Sequence, residues 1–186
     1  MNTNGWLNPE DYIFNKELEK NYEIICEEGL NLIQQGLFKD HTQSKESSVQ
    51  TTKIANMWKV FDLLRLDYHA DETLAPVTFS IVKKHKDIYD RYQRCVYFSL
   101  VPSGGIVTPH VRGATIHFRA RHQLCLKAPK HQNIENVHID VGGEKRSWTE
   151  GKVLSFDDSY LHSVKNLSAE NRLVLLYDSN LPTTQG

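Results

Sequence analysis

Two histidines far apart in the chain carry the chemistry it can do. His110 follows Thr108 and Pro109, and 52 residues later His162 closes the run Asp157, Asp158, Ser159, Tyr160, Leu161. Each ends or enters a strand-like stretch, so the two imidazoles can meet across a barrel mouth and hold one metal ion. Imidazole suits iron(II), and a site with few protein ligands keeps open positions for an α-keto acid and O2. Asp157 and Asp158 can order the loop or hydrogen-bond a liganding imidazole. Ten residues past His162, Arg172 opens the apolar run 173–176, and a charged residue at the start of such a strand wants an anionic partner. Arg121 shares a face with Arg119 by the period of a strand. Two or three cations on one barrel face suit a dicarboxylate.

These residues need rigid elements to hold them. Asn8 to Asp11 reads as a turn into a helix over residues 16–35, with Leu18, Tyr22, Ile25, Leu30 and Ile33 as its apolar positions. Gly36 ends that helix. Residues 39–52 are polar and read as a loop, and residues 70–76 as another. Residues 58–64 and 95–101 are strand-like, the second stopped by Pro102 and Gly104-Gly105. A short helix over residues 77–86 separates them. Beyond Gly105 the pattern is β: 114–121, 122–127, 137–141 before a Gly142-Gly143 turn, 145–148, 152–156, 163–166 and 173–178. Short strands at regular spacing argue a sandwich or barrel. A mainly β jelly roll with an N-terminal helix packed outside is the expected architecture. Residues 1–50 are then a helical extension with a polar loop, and residues 51–186 the β part of one compact domain.

Composition excludes several classes. The chain has 186 residues, with 22 Lys and Arg against 23 Asp and Glu. That balance gives no global field for nucleic acid. The basic clusters at 83–86 and 127–131 lack the interleaved aromatics of a stacking platform. Cys26, Cys95 and Cys125 are odd in number and form no CxxC, so a disulfide framework or zinc site is not expected and a reducing cytoplasm is. No apolar run has the length of a membrane span, and residues 1–9 lack an export pattern. Nothing in the pattern sets an oligomeric state.

Longer motifs then add a resemblance. Trp58 is followed by Ala75-Pro76-Val77-Thr78-Phe79, Tyr97-Phe98-Ser99, Gly104-Gly105 and Pro109-His110. Next come Arg121 and Leu124-Cys125-Leu126-Lys127-Ala128-Pro129. The last part runs Trp148, Gly151-Lys152-Val153-Leu154, Phe156-Asp157-Asp158-Ser159, His162-Ser163-Val164, then Arg172 to Asp178. Residues 58–182 resemble the catalytic domain of the aspartyl/asparaginyl β-hydroxylase family, with residues 1–50 outside the match. The resemblance implies a double-stranded β-helix, cupin-like, and an Fe(II)- and 2-oxoglutarate-dependent dioxygenase. His110 and His162 would be the iron ligands. Arg172 and Ser99 would grip the distal carboxylate of 2-oxoglutarate; Arg121, Gln123 and Val164 would serve the rest of the cosubstrate site.

The same resemblance implies hydroxylation of an sp3 carbon, Cβ of an Asp- or Asn-like unit, in a peptide or a free amino acid. The family lacks the carboxylate of the two-histidine, one-carboxylate triad, and here Arg112 stands at its place. Arg112 and Trp58 are the substrate-facing candidates. Three departures stand out: Arg112 replaces a small residue, the segment between His110 and Arg121 is two residues longer, and Gln123 replaces a histidine, with His122 beside it. A halogenase that seats chloride in place of the missing carboxylate, and a non-catalytic metal-binding cupin-like module, are the alternative functions.

Overall fold

The structure, a computed structural model, describes residues 4–41, 55–56, 58–65, 68–89, 95–111 and 119–181. Residue Arg112 and most of the polar loop lie outside these. At the N-terminus, strand β1 (Trp6–Leu7) precedes a 3-10 turn, Pro9–Asp11. Asn8 caps that turn by accepting from the Glu10 N–H, and Pro9 opens it, where the sequence reads as a turn into a helix.

The helix expected over residues 16–35 is two helices, α1 (Ile13–Lys20) and α2 (Tyr22–Gln34). Asn21 divides them. Its side-chain amide donates to the Glu17 carbonyl at 2.7 Å, and its backbone leaves helical dihedrals. Asparagine competes for backbone groups in this way, which a count of apolar spacing does not register. The buried stripe is Leu18, Ile25 and Leu32; Leu30, expected inside, is 41% exposed. Gly29 faces the sheet, where an added Cβ would sit 3.0 Å from the Phe98 ring and 3.2 Å from Leu173. A side chain there would have to push both neighbours aside by a few tenths of an ångström. Gly36, at φ +69°, ends α2 in the conformation glycine adopts without penalty.

Glu28 of α2 ties the helices together. It accepts from the N–H groups of Val77 and Thr78 at 2.7 and 3.0 Å and from the Thr78 hydroxyl at 2.6 Å. Those N–H groups lie at the start of α3 (Pro76–Lys84), where an anion is favoured. Glu28→Ala leaves buried donors without an acceptor and should cost about 1–3 kcal/mol, read by urea denaturation. An unchanged midpoint would show that water replaces the carboxylate fully. A short helix, α4 (Lys86–Tyr89), follows; the loop expected over residues 70–76 contains a 3-10 turn, Glu72–Leu74.

The remaining strands are β2 (Lys39–Asp40), β3 (Ala55–Asn56), β4 (Lys59–Arg65), β5 (Tyr68–His69), β6 (Cys95–Val101), β7 (Gly105–His110), β8 (Arg119–Lys127), β9 (Val137–Val141), β10 (Glu144–Arg146), β11 (Val153–Asp157), β12 (His162–Asn166) and β13 (Arg172–Asn180). They form two antiparallel sheets. One runs β1-β11-β8-β13-β6-β4-β2, with β5 on β4; the other runs β10-β9-β12-β7-β3. The mainly β jelly roll read from the sequence is the fold. Residues 119–127 form one strand where two were expected, 39–40 pair with β4 rather than lying in a loop, and Trp148 falls outside β10.

Two cores explain the patterning. Val60, Tyr97, Val107, Cys125, Ile139, Phe156, Val164 and Val174 come from both sheets and fill the space between them. Phe98, Leu124, Leu173 and Leu175 face the other way and pack with Phe14, Leu18, Ile25 and Phe79 of the helices. The larger sheet is thus covered on both faces, so β6 and β13 read as continuous apolar runs. The smaller sheet has one covered face, and β12 alternates buried and half-buried positions accordingly.

Candidate active site

His110 ends β7, His162 opens β12, and the pairing register sets them directly opposite one another. A bulge in β7 makes this possible. Between the His162–His110 and Val164–Val107 pairs β7 holds one extra residue, and Pro109, which cannot donate a ladder hydrogen bond, lies in that stretch. On the other side β12 pairs regularly with β9, and Val164 and Ile139 belong to the core between the sheets. Both imidazoles therefore enter the barrel interior, with ring centroids 4.3 Å apart.

The two rings are held alike. His110 Nδ1 lies 2.8 Å from the Thr108 carbonyl, and His162 Nδ1 lies 2.9 Å from the Tyr160 carbonyl. A carbonyl only accepts, so each Nδ1 carries the proton and each Nε2 is the nitrogen with the ligand lone pair. Burial first, then the neighbouring His110 and Arg121, hold the His162 pKa well below the usual imidazole value. His162 is therefore neutral, the form that binds metal without losing a proton. Its Nε2 faces Asp158 Oδ1 at 3.4 Å. Asp158 Oδ1 is also met by the Arg121 guanidinium, so the donor set this corner offers a metal ion is the pair of neutral Nε2 lone pairs on facing imidazoles. Among the described residues no group of three or more His, Cys, Asp or Glu side chains gathers around a common point.

A buried ion network backs the histidines. Arg121 reaches Asp158 through Nη1 at 2.9 Å, and its Nε and Nη2 donate to Asp178 at 2.9 and 3.2 Å. Arg119 Nη1 donates to the same Asp178 at 2.7 Å. Burial alone would lower the Arg121 pKa, but the two carboxylates outweigh it and raise it well above its ordinary value. The expectation that Arg119 and Arg121 present free positive charge to a dicarboxylate is corrected here. Each is matched to a buried carboxylate, and Arg121 steadies Asp158 beside His162. Asp178→Ala would remove the buried carboxylate that Arg119 and Arg121 share, leaving Asp158 as a partner of Arg121, and we expect a loss of roughly 3–5 kcal/mol. Chemical denaturation monitors this; a change under about 1 kcal/mol would mean that water hydrates both arginines.

Deeper in the same interior the balance differs. Arg172 faces Val101 across β6, two residues before Val174 faces Ser99. Its guanidinium is 2% exposed, and Nε and Nη1 have no hydrogen-bond partner among the described residues. Its carbon lies 5.1 Å from the centre of the Trp148 ring. Burial pushes its pKa down to about 10, so it remains a cation at neutral pH. An unpaired buried cation is costly, and a carboxylate is what its planar fork fits.

The other candidates surround this space. Ser99 accepts from the Trp58 indole N–H at 3.0 Å, and Gln123 Oε1 accepts from the Trp148 indole N–H at 2.9 Å. Trp58 stacks on His41, with centroids 3.7 Å apart. His122 sits on the opposite face of β8. Its ring nitrogens meet Ser155 and Ser179 at 2.8 and 2.9 Å among Tyr12, Phe14 and Tyr177. It cannot stand in for Gln123. Asp178 was missed in the sequence, although a carboxylate inside an apolar strand is itself a sign of a buried charge partner.

The family model described as aspartyl/asparaginyl beta-hydroxylase matches residues 19–182. This chain belongs to that family. The match begins inside α1, so it reaches back across the helices that the motif comparison left out. The aspartyl/asparaginyl beta-hydroxylase of Mus musculus is 29% identical over 95% of this chain. The chain spans about a quarter (24%) of that relative's length. In three dimensions, a prolyl-4-hydroxylase of Pseudomonas putida is similar over 97% of this chain and 94% of its own, at TM-score 0.58 and 12% identity. A collagen prolyl hydroxylase of Paramecium Bursaria Chlorella virus-1, solved as a 2OG complex, is similar over 86% and 91%, at TM-score 0.51 and 14% identity. At such identity these two bear on the fold alone. No helix among the described residues is long and apolar enough to cross a membrane.

Proposed function

We propose that this β-hydroxylase family member is an Fe(II)- and 2-oxoglutarate-dependent dioxygenase that hydroxylates an sp3 carbon, Cβ of an Asp- or Asn-like unit. The buried guanidinium of Arg172, with Nε and Nη1 unpartnered among the described residues, carries the reading. A polar ligand must enter the barrel to satisfy it, and a carboxylate satisfies it best.

His110 and His162 would hold the metal through Nε2, each oriented by the carbonyl bonded to its Nδ1. Two protein ligands leave positions for a chelating keto acid and O2. Iron(II) with these cosubstrates supplies the oxidising power to insert oxygen into a C–H bond, the keto acid leaving as succinate and CO2. Arg172 would take the distal carboxylate, with Ser99 beside it. Gln123 and Val164 would line the space between, and Trp58 with Trp148 would exclude water. Arg121 acts through Asp158 in this reading. Arg112, outside the described residues, keeps its proposed place beside the substrate.

The Asp- or Asn-like substrate is supported by the names of the relatives. The three cysteines, all buried and in no disulfide, support a reducing compartment such as the cytoplasm. The test is 2-oxoglutarate consumption by the purified protein with Fe(II), with Fe(II) and a chelator, and without metal. Iron-dependent succinate release, stimulated by an Asp- or Asn-containing compound, is expected. Consumption indifferent to iron, or none under any condition, sinks the proposal.

A further inference from the structure

We propose that Asp62 and Arg65 form a recognition site for the α-ammonium and α-carboxylate groups of a free amino acid. The inference rests on the dioxygenase reading and names its substrate class. The argument starts from β4. Residues three apart on a regular strand point to opposite faces. In β4 the register shifts between Asp62 and Leu64, and the shift reverses that rule. Val60 pairs with Ser99, Asp62 with Tyr97 and Arg65 with Cys95. Directly paired residues share a face, and Val60, Tyr97 and Cys95 all belong to the core between the sheets. The bulge therefore turns both Asp62 and Arg65 toward the interior. A bulge that re-aims a charge into a barrel is a built feature.

The pair stands at the level of the metal corner. Tyr177 pairs with Val96, so Asp178 lies level with Cys95, the residue opposite Arg65; Asp178 in turn pairs with Arg121. From Arg121 the network runs to Asp158 and His162. Unlike Arg119 and Arg121, the pair stays open to solvent. The Arg65 and Asp62 side chains are 28% and 29% exposed and meet through Nε and Oδ1 at 2.9 Å. The Arg65 guanidinium carbon sits 5.3 Å from the centre of the Tyr97 ring. In the proposed site the Nη edge of the fork would meet the ligand's carboxylate and Asp62 Oδ2 its ammonium group. A free α-amino acid carries both charges on one carbon and can pair with the two together. An internal peptide residue carries neither charge on its backbone.

The experiment is calorimetric titration of the intact chain with free L-aspartate, L-asparagine and the other free L-amino acids, each beside its N-acetyl and α-amide forms. It is run on the protein alone and with Fe(II) and 2-oxoglutarate under nitrogen. At least one free amino acid should bind, and each cap should weaken it about tenfold or more, the loss of one charged hydrogen bond. In Asp62→Asn the N-acetyl penalty should vanish, and in Arg65→Gln the amide penalty should vanish. The cap comparison on the unaltered chain decides the matter if either variant fails to fold. Capped forms binding as tightly as free ones, or no free amino acid binding at all, overturns the proposal. If iron-dependent succinate release responds to peptides but to no amino acid, this inference falls and the dioxygenase reading stands. If amino acids bind with both penalties yet no iron-dependent consumption occurs, the dioxygenase reading falls instead.

Discussion

Arg172→Met should make the protein without metal or cosubstrate more stable and remove its affinity for 2-oxoglutarate. The two effects share one cause. Nε and Nη1 of Arg172 are buried without a hydrogen-bond partner among the described residues. Methionine keeps much of the volume against Trp148 and removes the desolvated charge. Replacing buried charge by a well-packed apolar side chain often gains roughly 1–4 kcal/mol. Once 2-oxoglutarate binds, the same guanidinium becomes half of a buried pair, and truncating one half costs about 2–5 kcal/mol of affinity. Arg172→Lys keeps a charge but loses the fork, so it should fall between the two. Thermal denaturation and equilibrium titration read the two effects separately. Cosubstrate affinity unchanged in Arg172→Met would remove Arg172 from the site. Lower stability would mean that the guanidinium has a partner of its own in the empty protein.

His110→Ala and His162→Ala should each lower iron(II) affinity by more than about 100-fold, beyond the loss that follows removal of a group merely supporting a ligand. Succinate release should drop to background with it. Any loss of stability should come from the space the buried ring vacates, because each ring's Nδ1 bond is to a local carbonyl two residues earlier. Replacement therefore disturbs no contact between distant elements through that bond. Folding is checked by circular dichroism and metal content by dialysis against iron(II). Full metal content in both variants would place the iron elsewhere. Full content in one alone would identify which histidine is a bystander.

Much of the architecture was written in local pattern. The strand over residues 95–101 was legible to the residue, because Pro102 and Gly104 punctuate an apolar run. The Gly142-Gly143 turn, the turn over residues 8–11 and the helix end at Gly36 followed from the conformations those residue types favour. Motif spacing also carried the family, so the histidines, Ser99 and Arg172 could be named as candidates from the chain alone.

What local pattern could not decide was pairing. Arg119 and Arg121 lie 59 and 57 residues before Asp178, and their mutual neutralisation exists only because β8 lies beside β13. Counting cations on one strand gave surplus positive charge where the fold supplies buried carboxylates. His122 and Gln123 are adjacent in the chain, yet a strand sends them to opposite faces, one into the helix-covered core and one into the barrel. The bulges in β7 and β4 are equally silent in composition, although one aims His110 and the other brings Asp62 and Arg65 to a common face. Residue type and spacing determined which groups could do chemistry. Strand register decided which of them meet, because a shift of one position moves every following side chain to the other side of the sheet.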